Sequence, residues 1–372
     1  MKFFAIAFGL CVFAHAHVHA AYAEPDAADG WATADAAKAG WNTARFDALE
    51  ARIADQAYKG ITSVLVAVDG KLVYERYFND GSRERLNDMR SATKSLTALL
   101  AGAAVDRGLI ASVDVKVYDY FGDKRPWQHA DKRKEAFTLE DLLTMSSLWE
   151  CNDDNEFSSG NEERMYVTED WLQFALDLPI KGFAPWMKKP QDSPHGRSFS
   201  YCTAGAYVAG AIVERAAHRH LDAFSAEVLE KPLGIAKVQW NFSPEGIAIG
   251  GGGTRMRSRD MLKIGQMIVD HGRWQERQVI SAKWIDAALG VHAQARDDAE
   301  YGYLFWRFHY PLAGKDQPVW AMAGNGGNYV FMIPDRRLVA IVTSTAYNQR
   351  YAHPQSQEIL RDFILQALPA AH

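Results

Sequence analysis

Arg90-Ser91-Ala92-Thr93-Lys94-Ser95-Leu96-Thr97-Ala98-Leu99-Leu100 is the stretch from which the rest of the chain is read. Leu96, Leu99, Leu100, Ala103 and Ala104 recur at helical spacing and Gly108 offers a stop, so the residues after Lys94 predict a helix. Ser91 falls at its first turn, and Lys94, three residues on, falls on the same face. A serine hydroxyl becomes a nucleophile when a neighbouring base takes its proton, and a lysine is such a base where burial lowers its pKa. The helix N-terminus adds free N–H groups that favour an oxyanion beside Ser91. Taken alone, the four residues also fit a serine N-cap followed by a solvated lysine. The remainder of the chain has to decide.

A chain of 372 residues with 48% hydrophobic residues is enough for a large core in one or two domains. Its net charge of −5 is small and mixed, and no basic run occurs, which argues against a nucleic-acid partner. At the N-terminus, Lys2 precedes an apolar run from Phe3 to Phe13, and Ala21-Tyr22-Ala23 offers a small-x-small cleavage site. Residues 1–23 therefore read as a cleaved secretory signal, giving a periplasmic or secreted protein. The run is too short to span a bilayer. Cys11 also lacks the small residues that precede a lipidated cysteine, so no stable membrane anchor is expected. His15, His17 and His19 would leave with the signal. Cys151 and Cys202 remain. An even count in an oxidising compartment points to a disulfide.

In the mature chain, Arg45 to Tyr58 reads as an amphipathic helix with Phe46, Leu49, Ile53 and Ala54 on one face. Thr62–Val68 and Leu72–Phe78 alternate around Asp69-Gly70, a hairpin signal. From 91 to 245 the pattern is mainly helical. Thr138 is the N-cap of a helix with Asp141 in its first turn, Cys151–Asp170 is a polar, acid-rich loop, and Trp171–Leu178 and Ala204–His218 are helices. Gly250–Gly253 lacks the Gly-Lys-Ser/Thr of a phosphate loop and reads as a crossing where backbone approaches backbone. Four β-rich runs follow, at Tyr301–Phe308, Val319–Met322, Tyr329–Ile333 and Leu338–Thr343, with a closing helix over Gln355–Leu368. The order predicts an α+β fold: an antiparallel sheet flanked by N- and C-terminal helices, with an inserted, mainly helical domain. The sheet domain takes 24–90 and 246–372, the helical domain takes 91–245, and the cleft between them is the natural ligand site.

Two further stretches carry chemistry. Phe199-Ser200-Tyr201-Cys202-Thr203-Ala204-Gly205 sets a tyrosine just before a helix, and Ala323-Gly324-Asn325-Gly326-Gly327-Asn328 leads into a strand. Here the chain resembles the serine β-lactamase and penicillin-binding-protein superfamily. The branch it is most similar to holds class C β-lactamases, esterases of β-lactamase fold and nylon-oligomer hydrolases. Leu142–Ser147, Gly251–Thr254, Gly272-Arg273-Trp274 and Tyr301-Gly302-Tyr303 are further echoes, so the resemblance covers nearly the whole mature chain.

The resemblance implies a β-lactamase/transpeptidase-like fold and a serine hydrolase. Ser91 is then the acylated nucleophile, and Lys94 and Tyr201 form a joint base system. The backbone N–H groups of Ser91 and Asn325, the latter on an edge strand, make the oxyanion hole. Thr203, Gly324, Gly326 and Gly327 are the implied substrate contacts. The same resemblance brings Cys151 and Cys202 to one cleft, where their bridge would tie the acidic loop to Tyr201. The partner is a small ester or amide, with no cofactor and no metal. His218 and His220 stand two apart on one helix, on different faces, and do not suit shared coordination.

Two departures from the family pattern matter. Thr203 stands where lactamases carry Asn, and Met322-Ala323-Gly324 stands where a Lys/His-Thr/Ser-Gly motif supplies a cation for the substrate carboxylate. Without that charge-assisted bond, ester or amide hydrolysis on a neutral acyl group is better supported than β-lactam or D,D-peptide cleavage. The acid-rich 153–163 stretch is either a solvated surface or a contact for a cationic substrate end. A true β-lactamase or D,D-peptidase, and a binding module that kept the fold without turnover, are the competing readings.

Overall fold

The computed structural model describes residues 29–186 and 199–369. The proposed signal segment, 1–23, lies outside the described residues. After a short strand β1 (Ala32–Thr33), α1 (Ala44–Ala54) leads to the hairpin of β2 (Ile61–Val68) and β3 (Lys71–Tyr77). The two-residue strand β4 (Asn87–Asp88) and a 3-10 turn, Arg90–Ala92, then open α2 (Thr93–Asp106). The helical block continues through α3 (Leu139–Leu143), α4 (Glu162–Tyr166), α5 (Trp171–Asp177), α6 (Thr203–Ala217) and α7 (Leu221–Ser225). The chain returns through β5 (Arg255–Met256), α8 (Ser258–Val269), a small ribbon of β6 (Arg273–Trp274) and β7 (Arg277–Gln278), and α9 (Ala282–Ala288). Then come β8 (Ala293–Arg296), β9 (Ala299–Tyr301), β10 (Trp306–Leu312), β11 (Lys315–Gly324), β12 (Asn328–Ile333) and β13 (Leu338–Ser344). The C-terminal helix begins as α10 (Ala352–Glu358), widens to a π-helical stretch over Ile359–Ile364 and ends as α11 (Leu365–Ala367).

Among the described residues nine strands form one sheet in the order β1-β3-β2-β13-β12-β11-β10-β9-β8. It is mixed rather than wholly antiparallel, because β1 pairs with β3 in parallel. The central strands are apolar on both faces, since both faces are covered. Along β13, Leu338, Ala340 and Val342 join Phe46, Leu49, Ile53, Ile359 and Leu360 of the terminal helices. Val339 and Ile341 face the other way, into the cluster that holds α8 and the helical block.

Three expectations needed revision. Tyr301–Phe308 is not one strand. The chain leaves the sheet after Tyr301, passes Leu304 with φ +58°, and re-enters at Trp306. The break lets Leu304 accept a 2.6 Å bond from Ser95 Oγ of α2 and donate its N–H to Leu143 O. The acid-rich loop also contains a helical turn, α4, capped by Asn161, whose side chain accepts from Glu163 N. Finally, His218 and His220 do not share a helix: His218 is the left-handed C-cap of α6 and His220 the N-cap of α7. Thr138 does cap α3, in a reciprocal box with Asp141. Among the described residues no helix is long and apolar enough to cross a membrane.

Helix α8 approaches the sheet closely because Gly265 has no side chain. A Cβ there would lie 2.5 Å from Val339 Cγ1 and 2.9 Å from Val330 Cγ1. Alanine gains about 1 kcal/mol of helix propensity, while overpacking two β-branched side chains costs roughly 1–3 kcal/mol. We predict that Gly265→Ala is destabilising in urea unfolding and that Val339→Ala, which opens the space, makes the double variant less destabilised than the sum of the two. Additive losses would show that the contact is not what sets the helix–sheet distance.

Candidate active site

The segment before α2 is fixed from both sides. Met89 N donates to Thr254 O at 2.8 Å, Gly253 N donates to Arg90 O at 3.2 Å, and β4 pairs with β5. Arg90 is held at φ +48°, a left-handed conformation that costs a non-glycine residue about 1–2 kcal/mol. Its N–H is received by Asp88 Oδ1 at 2.9 Å. Ser91 follows at the centre of the 3-10 turn, half-buried. Neither that turn nor α2 has a side-chain N-cap bond, so Ser91 is not acting as a cap.

Lys94 is 1% exposed, which excludes the solvated lysine. Its Nζ donates to Ser91 Oγ at 2.9 Å and to Gly251 O at 2.6 Å. It also lies 4.9 Å from the centre of the Tyr201 ring. Burying a lysine amine without partners would be costly, and the Gly250–Gly253 run supplies the acceptor. A Cβ on Gly251 would meet Thr203 Cγ2 at 2.8 Å, and one on Gly250 would meet Thr97 Oγ1 at the same distance. The run is thus a close approach of backbone to α2 and α6, and its functional part is a carbonyl that composition alone did not single out.

Tyr201 is half-buried, stacked at 5.8 Å on Trp306 of β10. Its segment is sewn to the chain after α3. Ser200 N donates to Met145 O at 2.7 Å, Ser200 Oγ to Cys151 O at 2.5 Å, and Asp153 N to Tyr201 O at 2.9 Å. Cys151 and Cys202 form a disulfide, with Cα atoms 5.5 Å apart and a sequence separation of 51. Cys202 is also the N-cap of α6, its sulfur accepting from Gly205 N. Thr203, the first residue of α6, is buried, and its Oγ1 has no hydrogen-bond partner among the described residues.

In the sequence Asp153 is one charge of an acidic run. It belongs to the site. Its Oδ2 accepts from Thr203 N at 2.6 Å and its Oδ1 from Glu162 N at 3.0 Å. Burial pushes its carboxyl up to about 6, against the pull of the Lys94 cation and with the Glu162 charge adding to the rise. The signal that could have found it is its place two residues from Cys151, the cysteine whose partner adjoins Tyr201.

The end of β11 closes the other side. A Cβ on Gly324 would fall 2.0 Å from Met89 O and 3.2 Å from Ala92 N, so only glycine lets this strand abut the Ser91 turn. β11 is interior to the sheet, between β12 and β10, although its pairing with β10 stops at Ala321. Asn325 is not on an edge strand but in the 325–327 turn between β11 and β12, exposed, its side chain bonded to Asn348. Gly326 and Gly327 have φ of +86° and +79° and pack against Tyr347 and Ala352 O. Met322, in the position of the family's cation, is wholly buried in the same cluster as Met89 and Ala92.

A sheet covered on both faces, with a Ser-x-x-Lys turn wedged between its central strand and a helical block, defines the serine β-lactamase and penicillin-binding-protein superfamily. The Beta-lactamase family profile matches residues 46–361, and the chain belongs to that family. It is 22% identical over 290 residues to the 6-aminohexanoate-dimer hydrolase of Paenarthrobacter ureafaciens, covering 76% of this chain and 71% of that protein. Among solved structures it resembles a penicillin-binding-protein homologue from Caulobacter crescentus, with TM-score 0.65 and 18% identity over 89% of this chain and 97% of that one. It also resembles a family VIII carboxylesterase, with TM-score 0.62 and 18% identity over 85% and 93%. At these identities the two structures speak to the fold.

The disulfide closes a loop of 51 residues. The chain-entropy relation then gives it roughly 4 kcal/mol of stabilisation through the unfolded state. We expect the double variant Cys151→Ser, Cys202→Ser to lose up to about that much in urea unfolding. A loss below about 1 kcal/mol would place the effect in native-state strain relief instead.

Proposed function

We propose that this protein is an exported serine hydrolase that cleaves an ester or amide with a neutral acyl group through an acyl-enzyme on Ser91. The observation that carries the reading is the buried Lys94 amine, 2.9 Å from Ser91 Oγ and set against the Tyr201 ring. When the amine is neutral the same contact runs in reverse, with Ser91 Oγ–H donating to Nζ. Ser91 Oγ then bonds to the substrate carbonyl carbon as its proton passes to the Lys94–Tyr201 pair. The N–H groups of Ser91 and Asn325 receive the oxyanion. Collapse expels the alcohol or amine, which takes the proton from the pair. A water deprotonated by the same pair attacks the ester on Ser91, and collapse breaks the bond to Ser91 Oγ, which takes the proton back from the pair as the acid is released.

The names of the relatives, an amide-dimer hydrolase and a carboxylesterase, support a hydrolase with this substrate range. The buried Met322 supports a neutral acyl group, because β11 brings no cation to the cleft from that position. Export is supported by the disulfide and by the signal-like character of residues 1–23.

A fluorophosphonate probe should label the protein on Ser91, and Ser91→Ala should abolish labelling while the fold survives. Lack of labelling of the folded wild type would favour a binding module. Lys94→Ala and Tyr201→Phe should each lower kcat on the order of 10²-fold or more. Their combined loss should fall well short of the product, because both act on one proton. Independent, multiplicative losses would break the joint base.

On a panel of p-nitrophenyl esters, aminohexanoate dimer and nitrocefin, short esters or the dimer should be turned over faster than nitrocefin. Nitrocefin turnover as fast as the best ester would mean that another residue grips the carboxylate and that the protein is a true β-lactamase.

A further inference from the structure

We propose that Asp153 is the positioning residue of the active site, clamping the backbone on both sides of Cys202, directly after Tyr201, and so fixing where the tyrosine hydroxyl points. The inference rests on the reading of Tyr201 as part of the base system and adds to it a residue that does not touch substrate.

The geometry is a two-point grip. The main chain of Asp153 donates its N–H to Tyr201 O at 2.9 Å, and its side chain accepts from Thr203 N at 2.6 Å. The two contacts straddle Cys202, which is bonded to Cys151. Tyr201 is therefore the residue whose own carbonyl and whose neighbours on the C-terminal side are all held by the short segment Cys151–Asp153. The other carboxylate oxygen takes the N–H of Glu162, which fixes Asp153 itself on α4. Asn161 Nδ2 closes the frame by donating to Asp153 O at 3.1 Å. Four hydrogen bonds on one half-buried residue are more than a solvated surface aspartate makes. Glu156 and Glu163 of the same acidic run are exposed, whereas Asp153 is turned inward against α6.

A carboxylate is required for the grip because it must accept two N–H groups from two elements. An amide in its place has one acceptor oxygen, so Asp153→Asn releases either Thr203 or Glu162. Misplacing a catalytic group by about 1 Å can cost about 10²-fold in rate. The bridge between Cys151 and Cys202 keeps the segments together in the variant, so the change is a loosening and not a separation.

The test is a double-mutant cycle with a p-nitrophenyl ester. Asp153→Asn should lower kcat by roughly 10- to 100-fold with KM within about 2-fold. In a Tyr201→Phe background the same substitution should cost less than about 3-fold, since the hydroxyl it positions is gone. An equal loss in both backgrounds, or a loss carried in KM, would overturn the positioning role and leave Asp153 a structural or substrate-contacting residue. If Tyr201→Phe alone costs nothing, the base assignment has failed, a different result from additivity in the cycle. Should Asp153→Asn not fold, Asp153→Ser, smaller and able to accept one N–H, enters the same cycle with the same two outcomes.

Discussion

A lysine amine taken out of water organises this molecule. Lys94 Nζ sits between Ser91 Oγ and the carbonyl of Gly251. Leaving an ammonium or amine unpartnered in such a place costs several kcal/mol. The acceptor can come close only because residues 250 and 251 lack side chains. That requirement reaches further: Thr97 Oγ1 donates to Gly250 O, and Thr254 N donates to Thr93 Oγ1. Thr93, Lys94 and Thr97 of α2 thus each bond to residues 250–254. The helix is buried all round as a result, with Thr93 to Ala104 inside the protein. This is the expected state of a helix whose polar residues are consumed internally.

The same constraint explains how two parts of the chain meet at one point. The 3-10 turn with Ser91 is held by Thr254 and Gly253 beneath it and by Gly324 beside it. The sheet therefore contributes a fixed wall, while the helical block contributes Tyr201 on a segment that belongs to neither a helix nor a strand. Irregular backbone at an active site must be fixed by something other than secondary structure. Here the disulfide and the bonds from Met145, Cys151 and Asp153 do so.

Much of this was legible beforehand, for identifiable reasons. The hairpin at Asp69-Gly70, the Phe46, Leu49 and Ile53 face of α1 and the Thr138 cap are local signals, read from residues within a few positions of each other, and they appear where expected. Helix α1 nevertheless stops at Ala54, which is exposed, rather than running to Tyr58. The Ser91–Lys94 pair is local too, so its geometry followed from helical spacing. What could not be read is whatever depends on chain brought from afar. Gly251 looked like a crossing because no spacing rule ties a glycine carbonyl to a lysine 157 positions away. Asp153 looked like one of several acids, since a charge run carries no mark of which member turns inward. Tyr301–Phe308 looked like a single strand because its β-propensity is continuous, yet a positive φ at Leu304 lets the chain reach α2 and α3. In each case tertiary context overrode a correct local preference.

The missing cation is a packing decision as much as a chemical one. Met322 is fully buried in the cluster that includes Met89, two residues before Ser91, and Ala92, the residue after it. A methionine fills irregular space there with no polar atom to satisfy. A lysine at the same position would have to bury a second ammonium in an apolar cluster, at a cost that only a dedicated acceptor or a path to solvent could offset. The packing around Met322, beneath the Ser91 turn, is thus apolar. On the function proposed above, fitting this site to carboxylate-bearing substrates would require repacking the apolar cluster around Met322 together with the substitution, because a cation placed there would have to be buried beside the turn that holds Ser91.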